Sequence, residues 1–303
     1  VERILRRDLD SIARNHRAGA SELARQAAAA LERWRRIHAT LKRTELLEIA
    51  SALLHAQPSM APMMRLANEA ALAADAADPA VALDVGLAKF ADSLRAAPDQ
   101  IARHFARWMN RGPRRDVVTY SYSSTVVKAL VKARRRIASV SCSESRPGYE
   151  GIVTARRLGR ARIRTWLLTD AGLFSQSWRG HVVVLGADAV LKNWLAVKVG
   201  TRALLTRARE AGCEVVILAD TSKFWPEPSR RSVRWAWTFG PPDEIWAKRP
   251  PRVRVHNLYF ELIGFARWSG LRLLTERGWM TPRQARRFLK HIAISPHLGE
   301  LAD

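Results

Sequence analysis

The sequence predicts an α/β protein with a helical N-terminal domain over residues 1–112 and a Rossmann-like, parallel-sheet domain over residues 113–303. Three observations carry this expectation. Before Arg111-Gly112-Pro113 the apolar residues recur at helical spacing, the tripeptide itself is a turn signal, and after it short apolar runs alternate with amphipathic segments.

In the first part Leu23, Ala27, Leu31 and Trp34 fall at steps of four, four and three, one face of a helix that Ser21 is placed to cap. A second helix from Thr44 repeats the spacing with Leu46, Ala50 and Leu53. Pro58, Pro79 and Pro98 are expected to punctuate further helices, because proline has no N–H to give to an interior turn, so the domain reads as a bundle with short joints. The alanine run at 27–30 is read as packed helix, since larger apolar residues recur around it.

After Arg114, strands are expected near Val117, Ala138, Arg164, His181, Glu214 and Arg252, with helices between several of them. Sheets of this kind bind ligands beyond the carboxyl ends of their strands, where the strand order reverses. Ser121, Glu144, Asp170, Asp188 and Asp220 each follow an expected strand and are candidates for one rim. The most informative stretch is VVTYSYSST at 117–125, a buried strand running into a hydroxyl-rich loop at the mouth of a helix over 126–136. A helix N-terminus offers unpaired N–H groups and partial positive charge, and Ser121, Ser123, Ser124 and Thr125 add hydroxyls where a phosphate would sit. The same residue types also serve as ordinary N-caps. No GxGxxG follows the first strand, so a nicotinamide dehydrogenase is not supported and no cofactor is expected.

With 48% apolar residues the chain has enough material for sizeable cores. The opening VERILRRDLD has no apolar signal region, and no apolar run approaches the roughly 20 residues of a membrane span, which points to a soluble, cytoplasmic protein without a membrane partner. Cys142 and Cys213 read as buried free thiols, with neither metal-ligand nor disulfide spacing. The net charge of +23 invites a nucleic-acid partner, but 51 basic residues spread along the chain read first as scattered solvated charge. The basic runs at 33–36 and 134–136 are where an acidic partner or a nucleic acid would be sought.

Five further motifs follow in fixed order: SESRPGYEG at 143–151, LGADAV at 185–190, VKVGTRALL at 197–205, ADTSKFWP at 219–226 and LLTERGWMTP at 273–282. Through these, and over nearly its whole length, the chain resembles the family that holds methylthioribose-1-phosphate isomerase, ribose-1,5-bisphosphate isomerase and the regulatory subunits of translation initiation factor 2B. The isomerases of that family turn a phosphorylated aldose into a ketose with a cysteine and an aspartate on opposite sides of the reacting carbons. The resemblance places Asp188 at the aspartate, where it would manage a proton at the sugar; taken alone, an Asp after a strand also serves to cap a turn. It places Ser121 at the cysteine, and a hydroxyl needs an adjacent base to do a thiol's work.

Other positions depart from the isomerase pattern. The Arg-Gly-Ala phosphate turn becomes Ala18, Gly19 and Ala20, with Arg17 one place early; the Asn of an Asn-Lys pair is Val197; Gln57 stands near an expected arginine. The phosphate- or substrate-binding set implied by the resemblance is Gly19, Ala20, Ser123, Ser124, Thr125, Arg146, Lys198, Gly200, Thr201 and Lys223. Arg146 suits pairing with Glu144 or fixing the turn before Pro147 as well as it suits ligand contact. Trp235, Trp237, Phe239 and Trp246 suit base stacking or packing against the sheet or a second subunit, and the apolar segment 258–268 is expected to make a homodimer or a higher homo-oligomer. Two classes stay open. Asp188 favours a sugar-phosphate aldose–ketose isomerase of the ribose-1,5-bisphosphate type, and Ser121 favours a noncatalytic ligand-sensing or assembly protein like the regulatory subunits. In both, a phosphorylated sugar or nucleoside monophosphate occupies the cleft between the domains.

Overall fold

A computed structural model of the chain describes residues 3–15, 18–226, 239–265, 268 and 270–301; Arg17, Trp235 and Trp237 lie outside them. The helical spacing of the first part becomes α1 (Arg3–Ala13), α2 (Ala20–Arg36), α3 (Arg43–Ala56), α4 (Ala61–Ala73) and α5 (Pro79–Met109). Leu23, Ala27, Leu31 and Trp34 all bury on one face of α2. Ser21 is not the cap: the helix starts a residue earlier behind Gly19, and Ser21 Oγ instead donates to Asp220 Oδ2 at 3.4 Å.

Pro58 falls between α3 and α4, and Pro79 opens α5 behind Asp78, whose Oδ1 accepts from the N–H groups of Ala80 and Val81 at 3.0 Å each. Pro98 does not end a helix but lies within α5. An interior proline costs about 3 kcal/mol, whereas Leu94, Ile101 and Phe105 around it are fully buried, at roughly 1.5–3 kcal/mol each. Burial wins, and α5 runs on for 31 residues.

Its two ends join different cores. Leu83, Leu87, Phe90 and Leu94 belong with α1 to α4, while Ile101, Ala102, Phe105 and Met109 pack on the sheet.

That sheet holds β1 (Arg115–Thr119), β2 (Ile137–Ser143), β3 (Thr165–Leu168) and β4 (Val182–Gly186), with β7 (Glu214–Leu218), β9 (Leu271–Thr275) and β10 (Gly278–Met280) completing it. The order is β10-β9-β7-β4-β1-β2-β3, parallel except for the β9–β10 hairpin. Alternate side chains feed opposite layers, as the two-residue repeat of a strand requires: Val182 and Val184 meet α6 (Ser124–Lys132) and α7 (Glu150–Arg160), while Val183 and Leu185 meet α8 (Asp170–Ser175), α9 (Thr201–Glu210) and α11 (Pro282–Leu289). Short helices α10 (Asp243–Trp246) and α12 (Leu298–Leu301) complete the chain. The helix expected over 126–136 divides into α6 and a 3-10 turn, Arg134–Arg136.

The strand expected near Arg252 is absent from the described residues: 252–254 are exposed and have no partner strand, so their Arg-Val alternation has no face to bury. The pairing occurs further on. β8 (Phe260–Gly264) joins β5 (Ala189–Val190) and β6 (Trp194–Lys198) in a small antiparallel sheet of order β5-β6-β8 that the sequence did not announce. It is wedged between the two halves of the protein. Ala196 and the nearby Trp225 belong to the helical core, while Leu195, Val197 and Ile263 belong to the sheet core. Of the apolar segment 258–268, Tyr259, Ile263 and Phe265 are buried within the chain. Among the described residues no helix is long and apolar enough to cross a membrane.

Candidate functional site

The strand order turns outward in both directions between β1 and β4, and beyond their carboxyl ends lies a cleft open to solvent. One wall comes from the chain after β1, one from Gly186, Ala187 and Asp188 after β4, and the third from the start of α2. Of the residues singled out in the sequence, Gly19, Ala20, Ser121, Ser123, Ser124, Asp188, Lys198, Thr201 and Lys223 line it. Thr125 is buried beneath the loop, and Gly200 shapes the turn rather than the lining.

The loop after β1 meets α6 through Ser123, whose Oγ accepts from the N–H of Val126 at 3.3 Å. Ser123 is thus a cap, and its neighbour Ser124 opens the helix and lines the cleft. Gly186 on β4 is close against Ser123, with a Cβ there falling 2.9 Å from its Oγ. At Gly200 the φ of +95° suits glycine, and a Cβ would meet the Tyr120 hydroxyl at 2.7 Å. This turn ends β6 and sets Lys198 toward the cleft, with Thr201 Oγ1 donating to the Lys198 carbonyl at 2.6 Å.

Ser121 sits in the left-handed region at φ +65°, held by its N–H donating to Ser145 Oγ at 2.9 Å and its carbonyl accepting from Thr154 Oγ1 at 2.8 Å. Its own hydroxyl donates to Glu150 Oε1 at 3.0 Å. The same oxygen is 2.6 Å from Lys198 Nζ, with both side chains about nine-tenths buried. Glu150 was not singled out in the sequence, although it is the one carboxylate between Glu144 and Asp170 and stands within the SESRPGYEG motif. It places a carboxylate within hydrogen-bond reach of the Ser121 hydroxyl.

Gly151 fixes Glu150 in place, because a Cβ at 151 would fall 1.8 Å from the Ser143 carbonyl oxygen. Gly151→Ala is accordingly expected to destabilise the protein by roughly 3 kcal/mol through forced backbone displacement. Urea denaturation with an unchanged slope would measure it, and a loss under 1 kcal/mol would contradict this geometry.

Asp188 stands on the opposite wall. Its backbone is hooked in place, the N–H donating to Ala196 at 2.8 Å and the carbonyl accepting from Ala61 at 3.2 Å. Its carboxylate makes no hydrogen bond among the described residues, so it does not serve as a turn cap. Burial pushes the carboxyl up from its ordinary value; the positive charges of Lys223 and Lys198 oppose that shift and Glu150 adds to it. Lys223 is itself 4% exposed and has no ion pair among the described residues.

Arg146 is placed elsewhere. Its guanidinium lies over the Tyr149 ring at 4.8 Å and bonds the Tyr149 hydroxyl, pairing with neither Glu144 nor the cleft. Asp170 supports the adjacent turn by accepting from the N–H groups of Ser145 and Arg146 at 2.9 and 2.8 Å. Glu144 and Asp170 thus share the rim without lining the cleft. Gln57 lines a continuation of the cleft together with Met60, Tyr259 and Phe260, and its Nε2 donates to the Ile12 carbonyl at 2.9 Å. Cys142 is buried with its thiol pushed up to about 12, and Cys213 Sγ donates to the Trp178 carbonyl at 3.0 Å, so neither thiol substitutes for Ser121.

A helical layer closing over the switch point of a parallel sheet, with hydroxyls, two lysines and two carboxylates inward, defines an α/β protein built around a polar inter-layer cleft. The chain belongs to the initiation factor 2 subunit family, whose family model matches residues 16–282. It is 28% identical over 246 residues to a putative translation initiation factor eIF-2B subunit 2-like protein of Pyrococcus furiosus, covering 78% of this chain and 81% of that one. It is 28% identical over 142 residues to the ribose 1,5-bisphosphate isomerase of Archaeoglobus fulgidus, covering 42% and 45%. Among solved structures it resembles the translation initiation factor eIF-2B of Pyrococcus horikoshii, with a TM-score of 0.78 at 23% identity over 93% of this chain and 98% of that one.

Proposed function

We propose that the cleft binds a phosphorylated sugar and isomerises it from aldose to ketose, with ribose 1,5-bisphosphate as the leading substrate. The observation that carries this is the pairing of Asp188 on one wall with the Ser121–Glu150 hydrogen bond on the other. One of its two phosphates sits at the start of α6, against Ser124 and the ammonium groups of Lys198 and Lys223. Gly19, Ala20 and Thr201 close around it.

Conversion of ribose 1,5-bisphosphate to ribulose 1,5-bisphosphate breaks the bond from C1 to the ring oxygen, which takes a proton. The hydrogen on C2 moves to C1, and the C2 hydroxyl loses its proton as the carbonyl forms. Asp188, its affinity for a proton raised by burial, supplies the ring-oxygen proton. Ser121 Oγ accepts the C2 hydroxyl proton and passes its own to Glu150, whose charge Lys198 balances. The experiment is phosphorus NMR of ribose 1,5-bisphosphate incubated with the protein. A ketose bisphosphate signal is expected, and no conversion over hours at high protein concentration would sink the isomerase reading for this substrate.

A second reading, a noncatalytic ligand sensor, is supported by Ser121 itself, which lacks the nucleophilicity of a thiol. Tight binding without turnover would select it. In both readings we place a homo-oligomer contact at Phe239, Ile245 and Trp246, three large apolar side chains exposed within eight residues. Sedimentation velocity at micromolar concentration is expected to show a dimer or larger species, and a clean 34.1 kDa monomer would overturn that.

A further inference from the structure

We propose that the end of the parallel sheet opposite the cleft binds single-stranded nucleic acid, on the arginines that lead into β1, β2 and β3 and on the exposed Trp166 of the outer strand. This is independent of the isomerase reading.

The excess charge is not evenly spread. Residues 1–112 hold 17 basic and 13 acidic side chains, whereas 113–303 hold 34 and 15. Within the second part, residues 117–143 and 151–169 together contain ten Lys and Arg and no Asp or Glu. The fold gathers these, since crossover helices run back against the strands and put their C-termini beside the strand beginnings. Arg114 precedes β1, Arg134, Arg135 and Arg136 precede β2, and Arg162 and Arg164 precede β3, on neighbouring strands about 10 Å apart from β1 to β3. What reads as scattered charge along the sequence becomes one basic rim.

Ordinary structural roles do not absorb it. Helix C-termini favour cations, and Lys132 on α6 and Arg157 and Arg160 on α7 fill that role. The arginines at the strand entrances are additional to them. In the basic run of α2, Arg33 and Arg35 are matched by Asp8 and Asp84 at 2.7 and 2.9 Å. At the rim, Arg114 Nη2 donates to the Ile137 carbonyl at 2.9 Å and Arg136 Nε to Asn110 Oδ1 at 3.4 Å. Arg134, Arg135, Arg162 and Arg164 are exposed, with no ion pair among the described residues.

Trp166 decides the kind of polyanion. It is 58% exposed on the edge strand β3, two residues beyond Arg164. An exposed indole two residues along the strand from an arginine without an ion pair among the described residues suits a base stacked next to its phosphates, and one available to stack must be unpaired, so the partner is single-stranded. An acidic protein needs the charge but not the indole.

The test uses the full chain and a fluorescein-labelled 12-nucleotide RNA of mixed sequence, followed by anisotropy from 50 to 200 mM salt. With five phosphates neutralised, log affinity should fall with log salt at a slope of about −3.5. Combined Arg134→Ser, Arg135→Ser and Arg136→Ser should lower affinity at least tenfold and flatten that slope by about 2. Trp166→Ala should weaken binding about five- to hundredfold at unchanged slope. Arg33→Ser with Arg36→Ser should change nothing. Circular dichroism melting confirms folding, and Arg134→Gln with Arg135→Gln replaces the triple variant if that one unfolds. No binding at 50 mM salt, wild-type affinity in the rim variants or in Trp166→Ala, or displacement of the RNA by ribose 1,5-bisphosphate would each overturn the proposal. Equal displacement by polyglutamate of matched charge would overturn it in favour of an acidic protein.

Discussion

Asp188→Asn is expected to abolish isomerisation while leaving ligand binding in place, with turnover falling by about 10² to 10⁴, the usual loss for an acid-base group. The amide keeps the shape of the side chain on its hooked backbone but carries no transferable proton. Phosphorus NMR reads turnover and calorimetry reads binding. Equal loss of both would make Asp188 a binding group instead. The same variant has a second, opposite signature. Burial raises the Asp188 carboxyl in the folded state, so the folded protein holds this proton more tightly than the unfolded chain does. Its contribution to stability is fully present at low pH and is lost as pH rises from the ordinary Asp value of about 3.9 through the raised one. Without ligand, Asp188→Asn should therefore melt above the wild type at pH 7, and the gap should close as pH falls below that range. A variant less stable than the wild type at pH 7 would contradict this.

Lys223→Met is expected to lower affinity for a phosphorylated sugar about ten- to hundredfold, the value of roughly 1.5–3 kcal/mol for a charge-assisted bond to phosphate. Folding should survive, because Lys223 has no ion pair among the described residues and Asp188, whose charge it offsets, can keep its proton instead. Lys198 is a poorer probe. Its removal would leave Glu150 buried without its counter-charge, which costs about 3–5 kcal/mol and confuses binding with folding. Isothermal calorimetry on Lys223→Met decides the matter, and unchanged affinity would remove Lys223 from the phosphate site.

Much of this was legible in the sequence where one strong local signal acts alone. The buried α2 stripe and the strands from Val117 to Glu214 follow from periodicity, whereas the gathering of Ser121, Asp188, Lys198 and Lys223 around one cleft was implied by the family resemblance. What escaped depends on contacts remote in sequence. Glu150 gains its meaning from Ser121, 29 residues away, and Ser21 from Asp220, 199 residues away. The small sheet pairs Trp194–Lys198 with Phe260–Gly264, strands too far apart for hairpin signals to reveal. Pro98 misled because a local penalty was outweighed by burial on either side of it. Arg146 misled because an aromatic neighbour three residues on captures its guanidinium.

Helix α5 gives the molecule a mechanical property. Gly112-Pro113 marks a change in secondary structure, but the handover from one core to the other falls some fifteen residues earlier, in the middle of a continuous helix. A rod of about 46 Å with each end anchored in different apolar packing behaves as a shared axle. Melting either end frays the support of the other, so the walls of the cleft stand or fall together, and cutting the chain at the turn would leave the sheet fragment without the outer packing of β1 and β4.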